Sequence, residues 1–195
     1  MRIRELTESF NTNILVVDIQ PAYHQWCKHI VGKVIPILEK NRGKIVILFN
    51  GDGTTDDTLP DVQYYYLDNG LDEEKIYEIQ FIEKTYGFFR NWMDSGVSDR
   101  TIIKTIRYLI QNRLTDSRDI PNLEELIGYE YNENMEYDPL FLPDNVSVNL
   151  LRELRPFYMC GGGRTECLRE IELLCNAFNI SCLLYTSPSP RDQRG

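Results

Sequence analysis

The chain has 195 residues, with 30 acidic and 21 basic side chains and a formal net charge of −9. That length suits one domain with a proper core, and the acidic balance argues against a broad nucleic-acid or polyanion surface. No apolar run approaches the roughly 20 residues of a bilayer span, and the opening residues lack the apolar core of a signal peptide, so a cytoplasmic protein without a membrane partner is expected.

Residues 13–18, Asn13, Ile14, Leu15, Val16, Val17 and Asp18, form an apolar run ending in an acid, the pattern of a strand buried on both faces of a parallel sheet. Pro21 can open a helix, and Tyr23, Trp26, Cys27, Ile30, Val31, Val34 and Ile37 recur at helical spacing toward Asn41. Pro36 is expected to kink or shorten its last turns. Residues 44–50 read as a second strand, closing a β-α-β unit with a right-handed crossover. The polar loop from Gly51 to Asp57 then falls at a strand's C-terminal end, where open α/β sheets bind ligands.

Residues 62–67 are aromatic and read as a short edge strand or a loop, residues 72–75 as a helical turn, and residues 76–82 as a third strand. Lys84 would again stand at a strand end. Ser98 caps a helix that Ile102, Ile103, Ile106, Leu109 and Ile110 carry to about Leu114. A second helix follows around residues 122–128. The tyrosine-rich, acidic stretch 129–144, with Tyr129, Tyr131 and Tyr137, reads as a long excursion whose aromatics are expected to pack down rather than cover a pocket. Residues 148–153 suggest a short helix and residues 157–160 a strand.

That strand feeds the most informative stretch of the chain: Cys160, Gly161, Gly162, Gly163, Arg164, Thr165, Glu166 and Cys167. Three glycines let the backbone turn sharply and present bare N–H groups. A cysteine in the first turn of the following helix is biased toward thiolate. The helix uses Cys167, Ile171, Leu174, Cys175 and Phe178 as its apolar stripe, so a plain core role for Cys167 competes with a nucleophilic one. A final strand over 181–185 is open. Beyond it the run from Thr186 to Gly195 has no apolar periodicity and should be disordered. From Leu183 to Asp192 it looks like translated adapter read-through, so residues 185–195 are expected to be a non-native tail and the natural C-terminus to be missing.

The five cysteines, Cys27, Cys160, Cys167, Cys175 and Cys182, contain no C-x-x-C pair and fit a reducing compartment. The two histidines, His24 and His29, fall on the first helix, five residues apart and so not on one face. A Cys-His or Ser-His-Asp system elsewhere is thereby excluded.

Asp18, Lys84 and Cys167, in that order and each expected at the ligand-binding edge of one sheet, resemble the isochorismatase-like cysteine hydrolases. The matching segments are Leu15 to Gln20, Glu83 to Phe89 and Cys160 to Leu168. The resemblance covers about residues 13–50, 78–92 and 148–184. It implies a three-layer, Rossmann-like α/β fold with a mostly parallel sheet, spanning residues 1–184 as one domain with an insertion at about 98–145. It further implies cofactor-independent acyl transfer through a thioester on a small amide or carbamoyl compound. Carried over, Cys167 attacks the carbonyl, Asp18 takes the thiol proton and passes it to the leaving amine, and Lys84 holds the two in register. Backbone N–H groups of the turn at Gly162, Gly163 and Cys167 would form the oxyanion hole. Gln20, Asn50, Asp52, Phe88 and Arg164 are the candidate substrate contacts.

Two departures stand out. Arg164 occupies the place where the family usually has threonine, and could bind a substrate carboxylate or phosphate. The family's metal-binding members use histidines after the second strand, whereas this chain has Asn50 and Asp52 there, so no metal is expected. Two other readings compete. One is a non-catalytic nucleotide- or metabolite-binding module that uses Gly161 to Gly163 and Arg164 as a phosphate cradle. The other is a Mg²⁺-dependent nuclease using Asp18, Asp52 and Glu166. A small-molecule substrate is the expected partner, nucleic acid is not, and a homo-oligomer stays open.

Overall fold

The segments 13–17, 45–49 and 157–161 are largely buried on both faces, and a parallel sheet is the arrangement that covers such strands, with the more exposed segments 79–83 and 182–184 at its edges. The computed structural model describes residues 10–51, 55–84, 89–132, 139–142 and 145–184. The strands are β1 (Asn13–Val17), β2 (Ile45–Phe49), β3 (Ile79–Glu83), β4 (Phe157–Gly161) and β5 (Cys182–Leu184). All pairings are parallel and the order is β3-β2-β1-β4-β5. Val17 stands beside Leu48 on one side and Gly161 on the other. The sheet is flanked by helices, an α/β architecture consistent with a three-layer Rossmann-like fold. Strand order reverses between β1 and β4, which makes the C-terminal ends of those two strands the topological switch point, where open sheets of this kind bind ligands.

The described chain divides into two compact units. The first holds the sheet, with residues up to 84, 156–168 and from 182 onward. In it a 3₁₀ turn (Pro21–Tyr23) leads into α1 (His24–Lys40), and α2 (Leu59–Asp68) and α3 (Glu73–Ile76) follow β2. Cys27, Val31, Val34, Ile35 and Leu38 of α1 pack with Ile14, Val16, Ile45, Ile47, Phe49 and Ile79 of the sheet and with Val62, Tyr65 and Tyr66 of α2. Burying such side chains contributes roughly 1.5–3 kcal/mol each before entropy is counted.

The structure corrects three expectations in this unit. The stretch 62–67 is helix rather than strand or loop: Thr58 and Asp61 form a reciprocal capping box, with Pro60 in the first turn, and this start is stronger than the β-preference of three consecutive tyrosines. Pro36 does not shorten α1, which runs to Lys40, because Ile35 and Leu38 are buried on either side of it and hold the last turns. Trp26 is 61% exposed and lies off the apolar stripe. In addition, β3 begins at Ile79, since Ile76 closes α3.

The second unit spans 85–155 and 169–181. It contains α4 (Arg90–Asp94), α5 (Asp99–Asn112), α6 (Leu123–Ile127), α7 (Asn145–Leu154) and most of α8 (Cys167–Phe178), whose first two residues belong to the first unit. Ser98 caps α5 by accepting the Thr101 N–H at 3.3 Å. Arg107 of α5 donates to the Asn176 carbonyl at 2.9 Å, a favourable cationic partner for the C-terminal end of α8. Arg169 pairs with Asp99, and Arg90 with Glu170 at 3.4 Å. Tyr129 is 96% exposed rather than packed down, Tyr131 is half-buried, and Tyr137 lies outside the described residues. The tail at 185–195 also lies outside them.

Candidate functional site

Asp18 follows β1 directly, and its backbone leaves the strand in the left-handed region at φ 55°. Aspartate tolerates that conformation better than most residues, yet it still costs of order 1 kcal/mol or more, and strain of this kind gathers at functional sites. The carboxylate is almost wholly buried, at 1% exposure, and Lys84 Nζ donates to its Oδ2 at 2.7 Å. Lys84 itself is only 10% exposed and stands just past β3. The ion pair thus joins the ends of β1 and β3 across the end of β2. The other oxygen, Asp18 Oδ1, is buried with no hydrogen-bond partner among the described residues. An unpaired carboxylate oxygen out of water is costly, and it is the feature a proton donor or substrate would satisfy.

The glycine turn meets β1 at the same place. Gly161 ends β4 at φ +125°, and a Cβ there would sit 2.1 Å from the Val17 carbonyl oxygen. Only glycine fits. Gly162 donates its N–H to that carbonyl at 2.7 Å, so its amide is committed to the turn, one residue before Asp18. A Cβ on Gly162 would lie 3.1 Å from Cys167 Cβ and 3.4 Å from its Sγ, which places the thiol against the turn. The Gly163 carbonyl accepts from the Glu166 and Leu168 N–H groups, both at 3.1 Å, and so folds the turn back into α8 with Cys167 as its first residue. Cys167 is half-buried, whereas Cys160, on β4, is buried and its thiol is pushed up to about 12 by desolvation. Burial therefore makes Cys160 inert.

The loop after β2 is organised by Gln20, which is fully buried. Its Nε2 donates to the Asn50 carbonyl (2.8 Å) and to Asp57 Oδ2 (2.6 Å), and its Oε1 accepts from the Asn50 N–H (2.8 Å). With both ends of its amide engaged, Gln20 ties Asn50 and Asp57 to the end of β1. Asn50 Nδ2 in turn donates to Tyr23 Oη at 2.8 Å. Tyr23 is a residue the sequence reading assigns only to a helix stripe. Burial raises its pKa, the Asn50 hydrogen bond opposes that, and the negative charges of Asp18, Cys167 and Asp57 raise it further.

Arg164 is exposed, as are Gly163 and Glu166. Asp52 and Phe88 lie outside the described residues. Among the described residues there is no group of three or more His, Cys, Asp or Glu side chains able to hold a metal, and no helix long and apolar enough to cross a membrane. Compared with protein-family models, with curated proteins and with solved structures, the chain matches none.

Proposed function

We propose that the protein is a cysteine hydrolase that cleaves a small amide or carbamoyl-type compound through a thioester on Cys167. The observation that carries this reading is the buried Lys84–Asp18 pair, with Asp18 Oδ1 unpaired, one residue beyond the carbonyl to which the Gly162 turn and its cysteine are anchored. In this reading Lys84 fixes Oδ2 of Asp18, which leaves Oδ1 as the base. Cys167 Sγ attacks the carbonyl carbon as its proton passes to Oδ1, and the tetrahedral oxyanion takes hydrogen bonds from the Gly163 and Cys167 amides. The same proton then goes to the leaving nitrogen as the C–N bond breaks. Water, deprotonated by Asp18, next attacks the thioester and releases the acid and the thiol. Each oxyanion donor of this kind is typically worth about 3 kcal/mol.

A phosphate cradle at the same glycines is the weaker reading, because the unpaired Asp18 oxygen would repel the anion. Cys167→Ala should abolish turnover of a panel of small carboxamides and ureido compounds while leaving the melting temperature close to that of the unaltered protein. Unchanged turnover would overturn the proposal.

A further inference from the structure

Gln20 fixes Asn50 from both sides of its backbone, and Asn50 Nδ2 donates to Tyr23 Oη. The Tyr23 oxygen is thereby used as an acceptor, so its own proton must point elsewhere. That proton is directed away from Asn50. A hydroxyl that accepts one hydrogen bond becomes a better donor for the next, so the Asn50 contact primes the Tyr23 proton. The 3₁₀ turn Pro21–Tyr23, closed by the Tyr23 N–H on the Gln20 carbonyl at 3.1 Å, holds the ring five residues after Asp18 and beside Trp26, with ring centroids 6.2 Å apart. The switch point therefore carries an unpaired acceptor, Asp18 Oδ1, and, on the same short segment of chain, a Tyr23 hydroxyl whose oxygen is held by Asn50.

We propose that Tyr23, primed by Asn50, is a substrate-binding residue that donates its hydroxyl proton to the carbonyl oxygen of an uncharged carboxamide or ureido substrate. The assignment rests on the hydrolase reading of Cys167 and Asp18 and adds to it a side-chain donor and a charge preference. The preference follows from the surroundings: Asp57 Oδ2 accepts the N–H of the neighbouring Ala22 at 2.9 Å and Asp18 stands five residues before Tyr23 at the end of β1, and the negative charges of both, with that of a Cys167 thiolate, raise the Tyr23 pKa. A neutral carbonyl can approach that donor, whereas a carboxylate pays repulsion from each of these groups.

The test is alkylation of Cys167 by two reagents of nearly equal size, iodoacetamide and iodoacetate. In both, Sγ forms a bond to the methylene carbon, the C–I bond breaks with iodide leaving, and the thiol proton passes to Asp18. The Cys167-containing peptide is followed by mass spectrometry near neutral pH, with a small free thiol giving the reference rate ratio. Relative to that ratio, iodoacetamide should be favoured by about tenfold or more, and Tyr23→Phe should slow it about three- to tenfold, the usual range for one lost hydrogen bond, with the iodoacetate rate within about twofold. Phenylalanine keeps the ring and its packing, so a fold defect is not the expected cause, and an unchanged melting temperature checks this. Tyr23→Phe that leaves both rates alone, or slows both equally, overturns the Tyr23 assignment while Cys167 keeps its reactivity and the hydrolase reading stands. A Cys167 that neither reagent modifies overturns both.

Discussion

A carboxylate with 1% exposure has lost its hydration and needs a partner in the fold, and for Asp18 that partner is the nearly buried Lys84. Removing one member of such a pair is worse than removing both, because it strands a charge out of water. Lys84→Met should therefore destabilise the protein by about 3–5 kcal/mol, while Asp18→Asn combined with Lys84→Met should recover a large part of that loss. Urea unfolding of the two variants checks this, and equal destabilisation would show that the pair contributes through packing alone. Both variants should be inactive, since neither retains the Asp18–Lys84 pair. Tyr23 shows what a residue-level reading of the sequence leaves out. Its spacing to Cys27, Ile30 and Val34 is that of an ordinary helix stripe, and its partner Asn50 is 27 positions away. No local pattern reports a contact made because the C-terminal ends of β1 and β2 lie side by side.

At the scale of elements, the turn from β4 into α8 is set by one backbone position. Gly161 has a positive φ and no room for a Cβ against the Val17 carbonyl, so Gly161→Ala should cost at least about 2 kcal/mol and disturb the pairing of β1 with β4. A thermal or denaturant midpoint close to that of the unaltered chain would contradict this. The elements most legible in the sequence were those whose signal is contiguous. β1, β2 and β4 are short apolar runs that end in Asp18, Asn50 and the glycines, and α5 carries its cap at Ser98. The signal for α2 sits outside the segment it governs: Thr58, Pro60 and Asp61 fix the helix start, while Tyr64, Tyr65 and Tyr66 favour a strand when read alone. Gln20 has a structural role that its position alone does not announce: its side-chain amide ties Asn50 and Asp57 to the end of β1.

For the molecule as a whole, stability should fall on the alkaline side. Cys160 is held neutral by burial, with its thiol pushed up to about 12, well above the ordinary thiol range. Tyr66, also buried, is raised well above 10.0, chiefly by desolvation. Groups whose folded pKa is raised bind their protons more tightly in the native state. Their contribution is intact below the unfolded pKa, and it is lost as pH rises from about 9 toward 12 because the unfolded chain ionises first. Each such group removes up to about 1.4 kcal/mol per pH unit in that window. Comparing urea midpoints near neutral pH and at about pH 10.5, Cys160→Ala should lose less stability than the unaltered protein. Equal losses would show that the Cys160 thiol is not the source. The sheet order places Asp18 and the glycine turn at one switch point, and that position could be read from three separated segments of sequence only because each ended in an unusual residue. The most direct test of the central claim is acid-quenched mass spectrometry of the protein mixed with 4-nitrophenyl acetate, a general acyl donor. A burst of nitrophenolate is expected, with a single acetyl group on the peptide containing Cys167, and both should be lost in Cys167→Ala. Acetyl groups scattered over other residues, with a burst that survives the substitution, would contradict it.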